Sequence, residues 1–168
     1  LTLPMPIHVD DMALIGRIKS MVDDEASSLA RFFERMGTPV KESKRKAAAQ
    51  VQFVIGFWWD SNLRTRTLDE RKVLEYVAMF SHCAAQSSLS LSDLQRVAGR
   101  LQRAALTLPP GAACLLANLF SLMRGLARPQ SRRRVSKLAK RDLRCASNLL
   151  DLNCGRGFFS YDHFRRAP

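Results

Sequence analysis

Apolar positions along the chain fall into blocks of different period. Residues 5 to 9 and 12 to 15 are two short apolar runs on either side of Asp10-Asp11. Strand formers flanking residues that tolerate turn geometry predict a tight hairpin with two carboxylates at its tip. From 23 to 36, Ala26, Leu29, Ala30, Phe33 and Met36 recur at helical spacing, with Asp23 or Asp24 to cap the start and Gly37 with Pro39 to end it. Val51, Phe53, Ile55 and Phe57 then alternate with Gln52, Val54, Gly56 and Trp58, the period of a strand with one face on a core.

After Asp60 the pattern changes to helices. The first is predicted over residues 68 to 86, with Val73, Val77, Phe80 and Ala84 on one stripe. Ser90 opens the second: its hydroxyl can cap, Asp93 stands three residues on, and Leu89 can staple onto Leu94. That helix stops before Leu108-Pro109-Pro110-Gly111, and a third runs from about Ala112 to Arg124. A basic stretch from 128 to 144 leads into a last helix ending near Leu152, and a Gly and aromatic turn region follows. No internal repeat or low-complexity segment interrupts this order. The class it predicts is α+β, with a small α/β portion over 1–62, a helical portion over 63–127 and a basic helical segment over 128–168.

Composition adds a partner class. The chain has 168 residues, 46% hydrophobic and 25% charged, which suits a folded domain rather than a disordered tail. Its 27 Lys and Arg against 15 Asp and Glu give a net charge of +12, a field that attracts polyanions, nucleic acid first among them. Cys83, Cys114, Cys145 and Cys154 form no Cys-x-x-Cys pair and no paired His stands at metal spacing, so free thiols in a reducing compartment are expected. No apolar run reaches membrane-spanning length and the start lacks signal-peptide features, which predicts a chain with no membrane partner, intracellular, in cytoplasm or nucleus. The first residue, Leu1, is not Met, so the chain is expected to be a piece of a longer product.

An Asp-Asp pair alone is most often a solvated turn. Its order relative to later motifs gives it more weight. Ile7-His8-Val9-Asp10-Asp11-Met12-Ala13-Leu14-Ile15-Gly16 resembles the Tyr-x-Asp-Asp palm motif of reverse transcriptases. Gly37-Thr38-Pro39-Val40 with Lys41 and Lys44 is similar to the next palm motif, and Phe53-Val54-Ile55-Gly56-Phe57 to the apolar-Leu-Gly-aromatic hairpin that grips the primer end. Residues 92 to 125 resemble the thumb, where a helix with the pattern Q-x-x-x-G-x-L precedes a Pro-Gly turn and a second helix. Gln95, Gly99 and Arg103 fall at i, i+4 and i+8, a polar stripe, while Leu94, Val97, Ala98, Leu101 and Ala105 point elsewhere. A glycine inside a helix costs about 1 kcal/mol against Ala, so Gly99 invites a reason: a duplex approaching closely, or close helix packing.

The resemblance implies a partial palm (hairpin, helix, strand), an all-α thumb-like bundle and a connection segment ahead of a ribonuclease H domain, in an LTR-like or DIRS-like retroelement. It implies that Asp10 and Asp11 bind Mg2+ (or Mn2+) for phosphoryl transfer, that Lys44 is a candidate general acid toward the leaving pyrophosphate, and that Phe57, Trp58 and Trp59 hold the primer end. Gln95, Gly99, Arg100 and Arg103 would follow the minor groove of an RNA/DNA template-primer duplex, with phosphate contacts from Arg132, Arg133, Arg134 and Lys137. The implied partners are that duplex, a dNTP and the rest of a polyprotein. His8 stands where the family has Tyr, and a first metal-binding Asp would precede Leu1, so the chain alone is expected not to polymerise. The alternative is a non-catalytic, basic, helical nucleic-acid-binding module, as in tyrosine recombinase arms.

Overall fold

The computed structural model describes residues 7, 8, 11 to 14, 16 to 153 and 155 to 158. Strands Ile7–His8 (β1) and Asp11–Met12 (β2) pair antiparallel, with Ile7 opposite Met12 and His8 opposite Asp11. The two predicted strands are therefore paired, but Asp11 lies within β2 rather than at the tip, and residues 9 and 10 lie outside the described residues. The pair forms a two-stranded sheet of its own, not hydrogen-bonded to the strands after residue 50.

The next helix, Lys19–Arg35 (α1), starts one turn earlier than predicted. Neither Asp23 nor Asp24 caps it: Ile18 is the N-cap, and the Asp23 carboxylate instead accepts from the Ala48 amide at 2.9 Å, tying the following loop to the helix. Of the apolar stripe only Leu29 is buried, while Met36 is 65% exposed. A short 3-10 helix, Glu42–Lys44, lies in the loop.

The strand predicted over 51 to 58 is two strands. Val51–Val54 (β3) turns through Ile55-Gly56 into Phe57–Asp60 (β4), with Val54 opposite Phe57. Both turn residues have positive φ, 51° and 78°, the geometry of the two-residue turn that matches strand twist. Gly adopts it freely, whereas a β-branched Ile does so only under strain. Alternation across the turn had hidden it, because a two-residue loop preserves the period of two.

Thr65–Leu68 (β5) was predicted as loop and helix start; it pairs antiparallel with β4, and Arg156–Phe158 (β8) adds to its far edge, giving the order β3-β4-β5-β8. This sheet crosses both of the boundaries expected at 62 and 127. Close approach explains Gly157 in β8: a Cβ there would lie 2.7 Å from Thr107 Cα.

Four helices complete the fold: Glu70–Ala85 (α2), Leu91–Ala105 (α3), Ala117–Met123 (α4) and Lys137–Leu152 (α5). Asp69 caps α2 by accepting from the Arg71 amide, and Ser136 caps α5 by accepting from Ala139. One core joins them, with Phe80, Leu94, Leu101, Leu119, Leu143 and Leu150 fully enclosed. Helix α5 packs along α2, where Ser147 donates to the Val77 carbonyl at 3.2 Å, and buried Asp142 accepts from Asn118 of α4 at 2.6 Å.

The basic stretch is thus not a separate helical segment. Its first part, Arg132–Arg134 (β7), is a strand paired with Ser88–Ser90 (β6), and its second part is α5. Carbonyls of this stretch also take up the first α3 donors: Leu91 N–H bonds Ser131 O and Ser92 N–H bonds Pro129 O. Such donors have no partner within the helix itself.

Candidate nucleic-acid interface

Helix α3 divides sharply into two faces. Leu94, Val97, Ala98, Leu101 and Ala104 are buried in the core; Gln95, Arg96, Gly99 and Gln102 are exposed. Around Gly99 nothing lies within 4 Å of where a Cβ would stand, so no neighbouring helix accounts for it. The open face carries glutamines, a glycine and Arg96, and its one acid, Asp93, is engaged at the N-terminus. There the Ser90 hydroxyl accepts from the Asp93 amide at 3.1 Å, the side-chain cap the sequence predicts, and it also donates to the Asp93 carboxylate at 2.6 Å. That hydroxyl is the main reason the Asp93 carboxyl lies below the usual carboxylate range; against an opposing desolvation, the Ser90 backbone, Arg96 paired at 3.8 Å, and Arg132 lower it further.

The stripe differs from prediction at its far end. Seven residues return a helix to within about 20° of the start, whereas eight overshoot to about 80°. Gln102, not Arg103, therefore continues the line of Gln95 and Gly99. Arg103 is turned inward: its Nη2 donates to Ile55 O at 2.6 Å and its guanidinium lies over the Phe57 ring at 5.3 Å. Arg100 is likewise engaged within the chain. It pairs with Glu75 at 2.7 Å and lies over the Tyr76 ring at 5.6 Å, both on α2.

The three aromatic residues expected to grip a primer end separate by strand parity. Phe57 is buried and Trp59 half-buried, on the face of β4 that meets α3. The Trp59 indole N–H donates back to Val54 O at 3.2 Å, and Arg66 lies over its ring at 5.9 Å. Trp58 points the other way, 45% exposed and 5.2 Å from the Phe53 ring. Only Trp58 is open to a ligand.

Around the N-terminus of α3 the basic strand β7 is exposed along its length. Arg132 bonds the Ser88 carbonyl and hydroxyl and Arg133 the Arg124 carbonyl, each leaving part of its fork to solvent; Arg134 and Lys137 are exposed. The pairing of β6 with β7 was not legible, since Arg-Arg-Arg carries no strand signature. It places these cations beside the start of the open α3 face.

Of the expected metal and catalytic residues, Asp10 lies outside the described residues. Asp11 is on β2 opposite His8, and Lys44 ends the 3-10 helix. The Asp11 carboxylate is a donor of the type a hard cation such as Mg2+ takes. Among the described residues no helix is long and apolar enough to cross a membrane. The chain matches no protein-family model and no curated protein.

Proposed function

We propose that the chain is the downstream palm and thumb piece of a reverse transcriptase, and that its own task is to hold an RNA/DNA primer-template duplex along the open face of α3. The observation that carries this reading is Gly99. A mid-helix glycine with open space around it brings the helix-propensity penalty without a packing reason. Close approach to a backbone or groove supplies one. Gln95 and Gln102 on the same line offer donors and acceptors to minor-groove edges and 2'-hydroxyls, and Arg96, Arg132, Arg133 and Arg134 offer sequence-independent phosphate contacts.

The order of elements supports the polymerase part: a short hairpin bearing Asp11, a helix, a turn-linked pair β3-β4, then the helical lobe. In that reading Asp10 and Asp11 hold Mg2+ (or Mn2+) for nucleotide transfer, together with a carboxylate from another part of the enzyme. Such ions neutralise the attacking and leaving oxygens, and the exposure of Trp58 supports it as the contact to a primer end. Two measurements test the proposal. A full-length parent enzyme should extend a primer and lose this with Asp10→Ala; retained extension would overturn the catalytic part. The chain should bind a hybrid duplex, and lose affinity with Gln95→Ala and Gln102→Ala together.

The alternative, a nucleic-acid-binding module without chemistry, is favoured by one observation: the basic strand β7 and the α3 face belong to the same core and need nothing from the hairpin. It predicts the same binding and no effect of Asp10→Ala.

A further inference from the structure

We propose that Arg103 and Arg66 are a reciprocal clasp that fixes α3 against the β3-β4 hairpin, and that Arg103 is a positioning residue rather than a phosphate contact. One arginine reaches from α3 to the hairpin turn and the other from β5, the strand paired with β4, back to α3, and each bonds a main-chain carbonyl. Arg103, on α3, donates to Ile55 O in the hairpin turn; Arg66, on β5, donates through Nε to Leu106 O at the end of α3. Each guanidinium also lies over a ring of β4, Arg103 over Phe57 and Arg66 over Trp59, and those two rings are themselves edge to face at 6.5 Å. The result is a continuous row of cation, ring, ring and cation between sheet and helix.

Two details fit a built contact rather than a chance one. Gly56 is the one residue type that leaves room for Arg103, because a Cβ there would overlap Nη2. Ile55 is held at φ 51°, unusual for a β-branched residue, in the conformation that presents its carbonyl to Arg103. The Arg103 Nε is buried without an acceptor among the described residues, so the Ile55 carbonyl and the Phe57 ring are what hold this cation. Burial also lowers the Arg66 pKa from its ordinary value.

The clasp sets the angle at which α3 carries Gln95, Gly99 and Gln102 before any nucleic acid arrives, and preorganisation of this kind raises affinity without adding a contact. This consequence rests on the duplex reading above; the clasp itself does not.

The test has two arms, both on the whole chain. In hydrogen exchange without nucleic acid, Arg103→Ala and Arg103→Lys should both speed exchange in residues 51–60 and 100–107 and leave 143–150 unchanged, since Lys cannot bond the carbonyl and stack as a planar fork does. Unchanged exchange in 51–60 would overturn the clasp. In hybrid-duplex titrations across salt, Arg103→Ala should weaken binding about tenfold with the slope against salt unchanged, whereas loss of a phosphate contact lowers that slope by about one. A reduced slope, or rescue by Arg103→Lys, would overturn the positioning role. Phe57→Leu, which removes a ring and no charge, should reproduce the binding loss in part. If the wild-type chain binds no duplex, the functional reading fails while exchange still decides the clasp.

Discussion

At Gly99 stability and function are expected to pull apart. An Ala there meets open space and gains helix propensity, so Gly99→Ala should raise the stability of the chain by about 0.5 to 1 kcal/mol. The same methyl should weaken hybrid-duplex binding; denaturant unfolding and a duplex titration on one sample check both signs. The cysteines give a second residue-level expectation. Cys83 is buried and burial raises its thiol pKa, while Cys114 and Cys145 are exposed. A thiol reagent at neutral pH should label Cys114 and Cys145 quickly and reach Cys83 only as the chain unfolds.

Some residue assignments were legible and others were not. Ser90 as a cap, and Leu94, Val97 and Leu101 as core, follow from local pattern, because a cap needs one partner three residues away and a stripe needs only its own helix. Arg100 and Arg103 could not be read so. Each lies on the flank of the stripe, and whether it reaches solvent depends on Glu75, Tyr76, Ile55 and Phe57, which only tertiary packing brings near.

At the scale of elements, the α3 cap is the most testable. Ser90→Ala should cost about 1 kcal/mol by leaving the Asp93 amide without its acceptor. Its partner makes a pH prediction. The folded Asp93 carboxyl is held below its ordinary range, so the ionised form stabilises the fold above that range, and the contribution fades as pH falls through the lowered value. Asp93→Asn should therefore flatten the acid limb of the thermal stability curve, and Ser90→Ala should flatten it too. An acid limb identical in all three proteins would show that the Ser90 bond is not what holds Asp93.

Strand β5 is the element the sequence reading lost. Thr65-Arg66-Thr67-Leu68 alternates and carries two β-branched residues, yet it is only four residues long and runs straight into the Asp69 cap of α2, so its last residue, Leu68, falls within the predicted helix and the rest has too short a pattern to stand out. The turn at Ile55-Gly56 escaped for the opposite reason, since its glycine was read as one position in a continuous alternation. Helix α1 was recognised by period, but the period does not say what covers the stripe, and only Leu29 is buried.

For the whole molecule, the α+β class was legible and the division at 127 was not. Ala139, Leu143, Ala146 and Leu150 are fully enclosed in the core formed with α2 and α3, and β8 returns to the sheet. A chain ending at residue 127 should consequently lose cooperative unfolding, as followed by circular dichroism. The charges of 128–144 set it apart as a basic segment of its own because they register solvation, whereas the apolar positions of α5 at helical spacing determine where it packs.

The most direct test of the central claim is a fluorescence titration of an RNA/DNA hybrid duplex with the whole chain, wild type against the Gln95→Ala, Gln102→Ala double variant, at matched salt. Both substitutions lie on the exposed face and should leave the melting temperature unchanged. The account predicts that the wild type binds, more weakly as salt rises, and that the double variant binds about tenfold more weakly, roughly one groove contact's worth of discrimination. Equal affinity of the two proteins for the hybrid would contradict it.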